Sequence, residues 1–143
     1  MTTDSDILAL LAGADLNVHD GYIKADETAK VISVALPYVV FYSSPGYDND
    51  ERFFGAGGRV VEFQVTGVGA TREQAKWALD KARDALNRQR LNGSVIRRSD
   101  DNAMVRRDDD YTRPGGGPLF YGVDRYGVAE VSPSPVAAVV PDP

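Results

Sequence analysis

Hydrophobic and polar positions along the chain change period several times, and each change marks an element. Asp4 to Ala12 gathers Ile7, Leu8, Leu10 and Leu11 on one side of a helical wheel. Acids sit in its first turn and Gly13 follows as a stop, so a short helix is predicted. Leu16 to Lys24 reads as a small hairpin about Asp20-Gly21, a preferred two-residue turn, with His19 as a turn residue beside it. Leu36 to Ser43 is β-branched or aromatic on both faces, which predicts a central strand covered on both sides, with Pro37 at its start.

A long connection, 44–58, leads into Arg59 to Val68, where Val61, Phe63 and Val65 alternate with Glu62, Gln64 and Thr66 as in a half-buried strand. Thr71-Arg72-Glu73-Gln74 then fits a capping box. Ala75, Ala78, Leu79, Ala82, Ala85 and Leu86 follow at helical spacing, predicting a helix that runs to about Gln89. Ser94 to Ser99 and Ala103 to Arg107 are short, charged strand candidates. After Pro114-Gly115-Gly116-Gly117-Pro118, Leu119 to Val131 returns to strand character, with Gly122 and Gly127 expected as bulges or bends. Strands follow one another without crossover helices, so the expected class is α+β: a mostly antiparallel or mixed sheet, two helices packed on it, a β-hairpin and long loops. The domain is expected over 1–131, with 132–143 as a Pro-rich extended tail.

Composition narrows the chemistry. A chain of 143 residues with 43% hydrophobic residues fits one domain with its own core. It has no cysteine, so disulfides, thiol nucleophiles and thiolate zinc sites are out. A net charge of −5 carries no basic excess for phosphate neutralisation. The N-terminus lacks the basic and long apolar regions of a signal peptide, and no apolar window is long enough to span a bilayer. A soluble protein without membrane contact is expected.

No motif carries catalysis. His19 is the single histidine and has no positioned partner in sequence. Asp108, Asp109 and Asp110 lack EF-hand spacing and read as a solvated run balancing Arg106 and Arg107. The glycines at 55, 57 and 58 precede a strand, where a phosphate loop would open a helix. Neither a metal nor a cofactor is expected.

Aromatic residues are more informative. Trp77 falls opposite the Ala/Leu stripe, among Asp80, Lys81, Asp84 and Arg88. An indole there needs a cover, supplied either by a local loop or by another chain. Tyr47, Phe53 and Phe54 lie in the long polar connection, and the phenylalanines either fold back on the core or dock on a neighbouring subunit.

The block Val60-Val61-Glu62-Phe63-Gln64-Val65-Thr66-Gly67-Val68-Gly69, running into Thr71 through Lys81, resembles the strand-turn-helix of tail terminator proteins of long-tailed bacteriophages. So do Tyr38 to Tyr42, the Arg106-Arg107-Asp108-Asp109 segment, and Tyr121 to Tyr126. The similarity runs from about Asp6 to Val131 and leaves out the Pro-rich tail. It implies a non-enzymatic virion protein, made in the host cytoplasm and placed at the tail-neck junction. Six copies would form a ring that caps the tail tube, contacts the major tail tube protein and the head-tail connector protein, and lets DNA pass without specific binding.

On that resemblance Trp77 and its helix, with Arg88, would pack subunits. Tyr47, Phe53, Phe54, Arg106, Arg107 and Arg113 would make ring-to-ring contacts. An acidic channel would disfavour a resting site for DNA. Another neck or head-completion protein, a small carboxylate-dependent enzyme, and a ligand-binding module remain as alternatives.

Overall fold

The computed structural model describes residues 3–43, 47–48, 59–91, 94–99 and 104–130. In chain order the elements are helix α1 (Thr3–Ala12), strands β1 (Val18–Asp20), β2 (Tyr38–Ser43), β3 (Tyr47–Asp48) and β4 (Arg59–Gly69), and helix α2 (Arg72–Leu86). Then come β5 (Arg90–Leu91), β6 (Ser94–Val95), β7 (Arg97–Arg98), β8 (Arg106–Thr112) and β9 (Pro118–Glu130). The fold is α+β. One seven-stranded mixed sheet has the order β1-β2-β4-β9-β7, with β3 pairing on β4 and β8 on β9, and β5 with β6 makes a separate two-stranded hairpin.

Strands β4 and β9 form the spine, antiparallel from Arg59 opposite Glu130 to Gly69 opposite Phe120. Alternation sends Val61, Phe63 and Val65 to one face, where they meet Val39 and Phe41 of β2 and Tyr126 and Val128 of β9. Phe63 stacks on Tyr126 with ring centroids 5.3 Å apart. Both helices cover this face: Ile7 and Leu11 of α1 and Ala78, Ala82 and Leu86 of α2 join the same buried cluster. The expected alanine stripe is thus the buried stripe, apart from Ala85, which is half-buried.

Helix α2 begins as the sequence predicts. The Thr71 hydroxyl accepts from the Gln74 amide at 3.1 Å. Gln74 Oε1 accepts from the Ala70 amide at 2.7 Å, one residue before the position a capping box would use. The helix ends at Leu86, short of Gln89. Asn87 caps it, and Arg88 takes a left-handed backbone (φ 67) that turns the chain toward β5.

Gly122 and Gly127, expected as bulges or bends, make no bulge against β4: they lie in unbroken register with it, opposite Gly67 and Glu62. Gly122 and Gly67 form a cross-strand pair directly under α2. A Cβ on either would lie 2.8 Å from Leu79, so the two glycines are the space into which that side chain packs.

Three further expectations are corrected. There is no hairpin at Asp20-Gly21: β1 pairs parallel with β2, and Tyr22, where the returning strand would run, is 70% exposed. Gly21 (φ 72) still turns the chain, and the segment that follows crosses to the sheet's second face. There Ile23, Ile32, Val34 and Leu36 pack on Tyr38, Val40, Val68 and Leu119, so apolar burial outweighs hairpin pairing. His19 is accordingly a strand residue, edge-on to the Tyr38 ring at 5.6 Å. The strand expected at Ala103–Arg107 is instead β8 from Arg106. It takes in the aspartate run because an edge strand lets charges face water, and the register shift between Arg107 and Thr112 absorbs it. Asp108 Oδ1 accepts from the amides of Asp110 and Tyr111 at 2.8 and 3.0 Å, so that carboxylate caps a backbone irregularity.

Candidate assembly surfaces

Helix α2 holds Trp77 on its outer face because the inner face is committed to the sheet through Ala75, Ala78, Leu79 and Ala82. The indole is 47% exposed, and Lys81 Nζ lies 5.5 Å from its ring centroid. Of the two covers considered in sequence, a local loop is not found among the described residues. Tyr22 and Met104 are more exposed still, but they stand singly on irregular segments, which is ordinary for a surface. Trp77 differs because a rigid helix presents it.

The arginines expected at interfaces separate into distinct places. Arg88 follows the C-terminus of α2, exposed, with its amide bonded to the Ile96 carbonyl. Arg106 and Arg107 are exposed on β8, opposite Tyr121 and Phe120. Arg113 folds over the Gly115-Gly116 turn, its Nε donating to the Pro118 carbonyl at 3.0 Å, so part of its donor capacity is already used. Tyr47 is paired with Val60 at the other end of the spine from Arg106 and Arg107. At about 3.3 Å per residue the two ends of β4 lie roughly 30 Å apart. Phe53 and Phe54 lie outside the described residues.

Among the described residues the sheet's second face is only partly covered. Beyond the Ile23–Leu36 segment, Tyr42, Gln64 and Arg125 stand side by side across β2, β4 and β9. With Ser43, Glu62 and Ser99, and with Phe63 and Tyr126 of the helix-facing side, they line a cavity of about 300 Å³. Tyr42 is 42% exposed. Nearer the covered half, a second cavity of about 240 Å³ is lined by Tyr38, Tyr42, Thr66, Asp108 and Tyr121 among others. Burial pushes the Tyr38 phenol up to about 12, with Asp108 and then Tyr42 adding to the effect.

Sequence reading missed a buried charge cluster. Asp124 is fully buried on the helix-facing side of β9. Its carboxylate accepts from Arg98 of β7 at 2.9 Å, faces Arg83 of α2 at 3.9 Å, and accepts a long 3.4 Å bond from the Tyr126 hydroxyl. Burial, then the Asp124 charge, holds the Tyr126 phenol well above its ordinary range. The signal available was an aspartate at an inward position of an apolar alternating strand, between Gly122 and Tyr126.

Among the described residues no group of three or more His, Asp or Glu is arranged to hold a metal, and no helix is long and apolar enough to cross a membrane. Compared with models of known protein families the chain matches none, and a search of curated proteins finds no match either.

Proposed function

We propose that the chain is a structural subunit that assembles with copies of itself into a ring of the phage tail terminator kind. In this reading it is not an enzyme. The ring closes the end of a tube of tail protein, joins it to the head-side connector and leaves a passage for DNA, within the virion. One observation carries the reading: a half-exposed tryptophan held on the charged face of a rigid helix, an arrangement that wastes apolar area in a lone copy. The placement of Tyr47 and of Arg106 and Arg107 at opposite ends of the spine also supports it, because a ring between two partners needs two separate contact faces. The net charge of −5 suits a passage that DNA does not stick to.

Native mass spectrometry and electron microscopy of the purified protein, alone and with polymerising tail tube protein, test this. Six-fold rings and arrest of tube growth are expected. Tubes of unchanged length, with the protein still monomeric beside them, would overturn the proposal.

A further inference from the structure

The smaller cavity on the sheet's second face holds phenol rings and acceptors. Among the described residues that line it, Tyr38, Tyr42 and Tyr121 supply rings, Thr66 a hydroxyl and Asp108 a carboxylate, and no side chain is basic. We propose that this pocket binds a small organic cation, an ammonium or guanidinium group on a short apolar stem. None of these residues is among those assigned to ring contacts, so the site goes beyond the assembly reading.

Two acceptors in the pocket are left unused by the chain. Tyr38 is 2% exposed, yet no hydrogen bond of its hydroxyl is found among the described residues. A buried polar group in that position is costly unless an occupant of the pocket bonds to it. Asp108 Oδ1 accepts from the amides of Asp110 and Tyr111 at 2.8 and 3.0 Å, which fixes the carboxylate on its strand. Its Oδ2 has no hydrogen bond or ion pair among the described residues. Burial and then the Asp108 charge push the Tyr38 phenol up to about 12, so the two groups feel each other across the cavity.

Charge decides the class of occupant. An anion would meet Asp108, and a neutral alcohol would gain no attraction from it. A cation can donate to Asp108 and Tyr38 while it lies against the tyrosine rings. The chain's own cations do not fill this role. Lys24, next to Ile23 in sequence, and Arg106, opposite Tyr121 in register, are exposed, and neither makes an ion pair with Asp108. At about 240 Å³ the pocket falls below the roughly 300–1,000 Å³ of clefts that take drug-sized molecules, which limits the occupant to one cationic head and its stem. Such a group comes either as a free amine or as a lysine or arginine side chain of another polypeptide.

The full-length protein is titrated with butylammonium, and with 1-butanol and butyrate as neutral and anionic matches of the same length, at constant ionic strength. The ring resonances of Tyr38, Tyr42 and Tyr121 report binding. Saturation on the order of millimolar is expected for so small a ligand, with 1-butanol and butyrate weaker by roughly tenfold or more. Acetyl-lysine methylamide, which carries the same ammonium on a peptide backbone, separates the sources: equal affinity points to a side chain, and weaker binding to a free amine.

Asp108→Asn keeps an oxygen for the two amides and removes the charge. Its affinity for butylammonium should fall roughly tenfold or more while its circular dichroism stays that of wild type. If this variant fails to fold, the comparison of the three probes on wild-type protein decides alone. Equal binding of the three probes, tyrosine resonances that do not move with butylammonium, or a folded Asp108→Asn with wild-type affinity would each overturn the proposal.

Discussion

Replacing Asp124 tests how the sheet's far edge is held. Strand β7 contributes two register pairs to β9, Arg97 with Gly127 and Arg98 with Tyr126, and a ladder that short does little by itself. The Arg98–Asp124 bond at 2.9 Å ties it down, between a fully buried carboxylate and a guanidinium whose side chain is 13% exposed. Breaking a buried pair from one side costs about 3–5 kcal/mol. Unfolding entropy of about 2.1 cal/mol/K per residue, over a chain of this size, converts that to a Tm fall of roughly 10–17 °C for Asp124→Ala.

Arg83 enters differently. It reaches Asp124 only at 3.9 Å and its side chain is 36% exposed, so water screens it, and Arg83→Ala should cost under about 1 kcal/mol. Asp124→Leu combined with Arg98→Met should recover much of the loss, because an apolar pair of similar volume avoids burying charge. Calorimetry gives the Tm values. Hydrogen exchange at the Ser99 amide, bonded to the Arg125 carbonyl at 2.8 Å, reports whether the edge has come loose. A Tm within about 2 °C of wild type for Asp124→Ala, with Ser99 still protected, would refute this account of the edge.

Gly69→Ala would place a Cβ 2.6 Å from the Ala75 amide nitrogen, so the first turn of α2 must move; a loss of about 1–3 kcal/mol or more is expected in denaturant titration. Gly115→Ala meets no atom within 4 Å and should show only the cost of a left-handed backbone (φ 90), about 1 kcal/mol. Thr71→Ala removes the hydroxyl that accepts from Gln74 and should cost about 1 kcal/mol, read from the thermal midpoint. In alkali, buried Tyr38 keeps its proton up to about 12 while the unfolded chain releases it near 10. Stability from this group is therefore complete below pH 10. It falls as pH rises from 10 to about 12, by on the order of 2 kcal/mol, and Tyr38→Phe should flatten that fall in urea midpoints measured against pH. An equal slope in the variant would count against the assignment.

Local patterns were legible in the sequence, since helical and strand periods depend on neighbours a few residues away. The Thr71 cap, the alanine stripe of α2, the alternation of β4 and the position of Trp77 on the charged face could all be read from spacing alone. Tertiary structure decided whatever depends on which strand meets which. Val18 to Asp20 runs parallel to β2, and the segment after Gly21 packs Ile23, Ile32, Val34 and Leu36 on the sheet's second face. Gly67 and Gly122 lie far apart in sequence, and only the β4–β9 register brings them together beneath Leu79. The same register turns Asp124 inward to Arg98 and Arg83, and it lines up Tyr42, Gln64 and Arg125 on the sheet's second face. Spacing along one strand tells which side a residue takes. What lies on that side is settled only when distant segments pair and the apolar surface has been shared out among them.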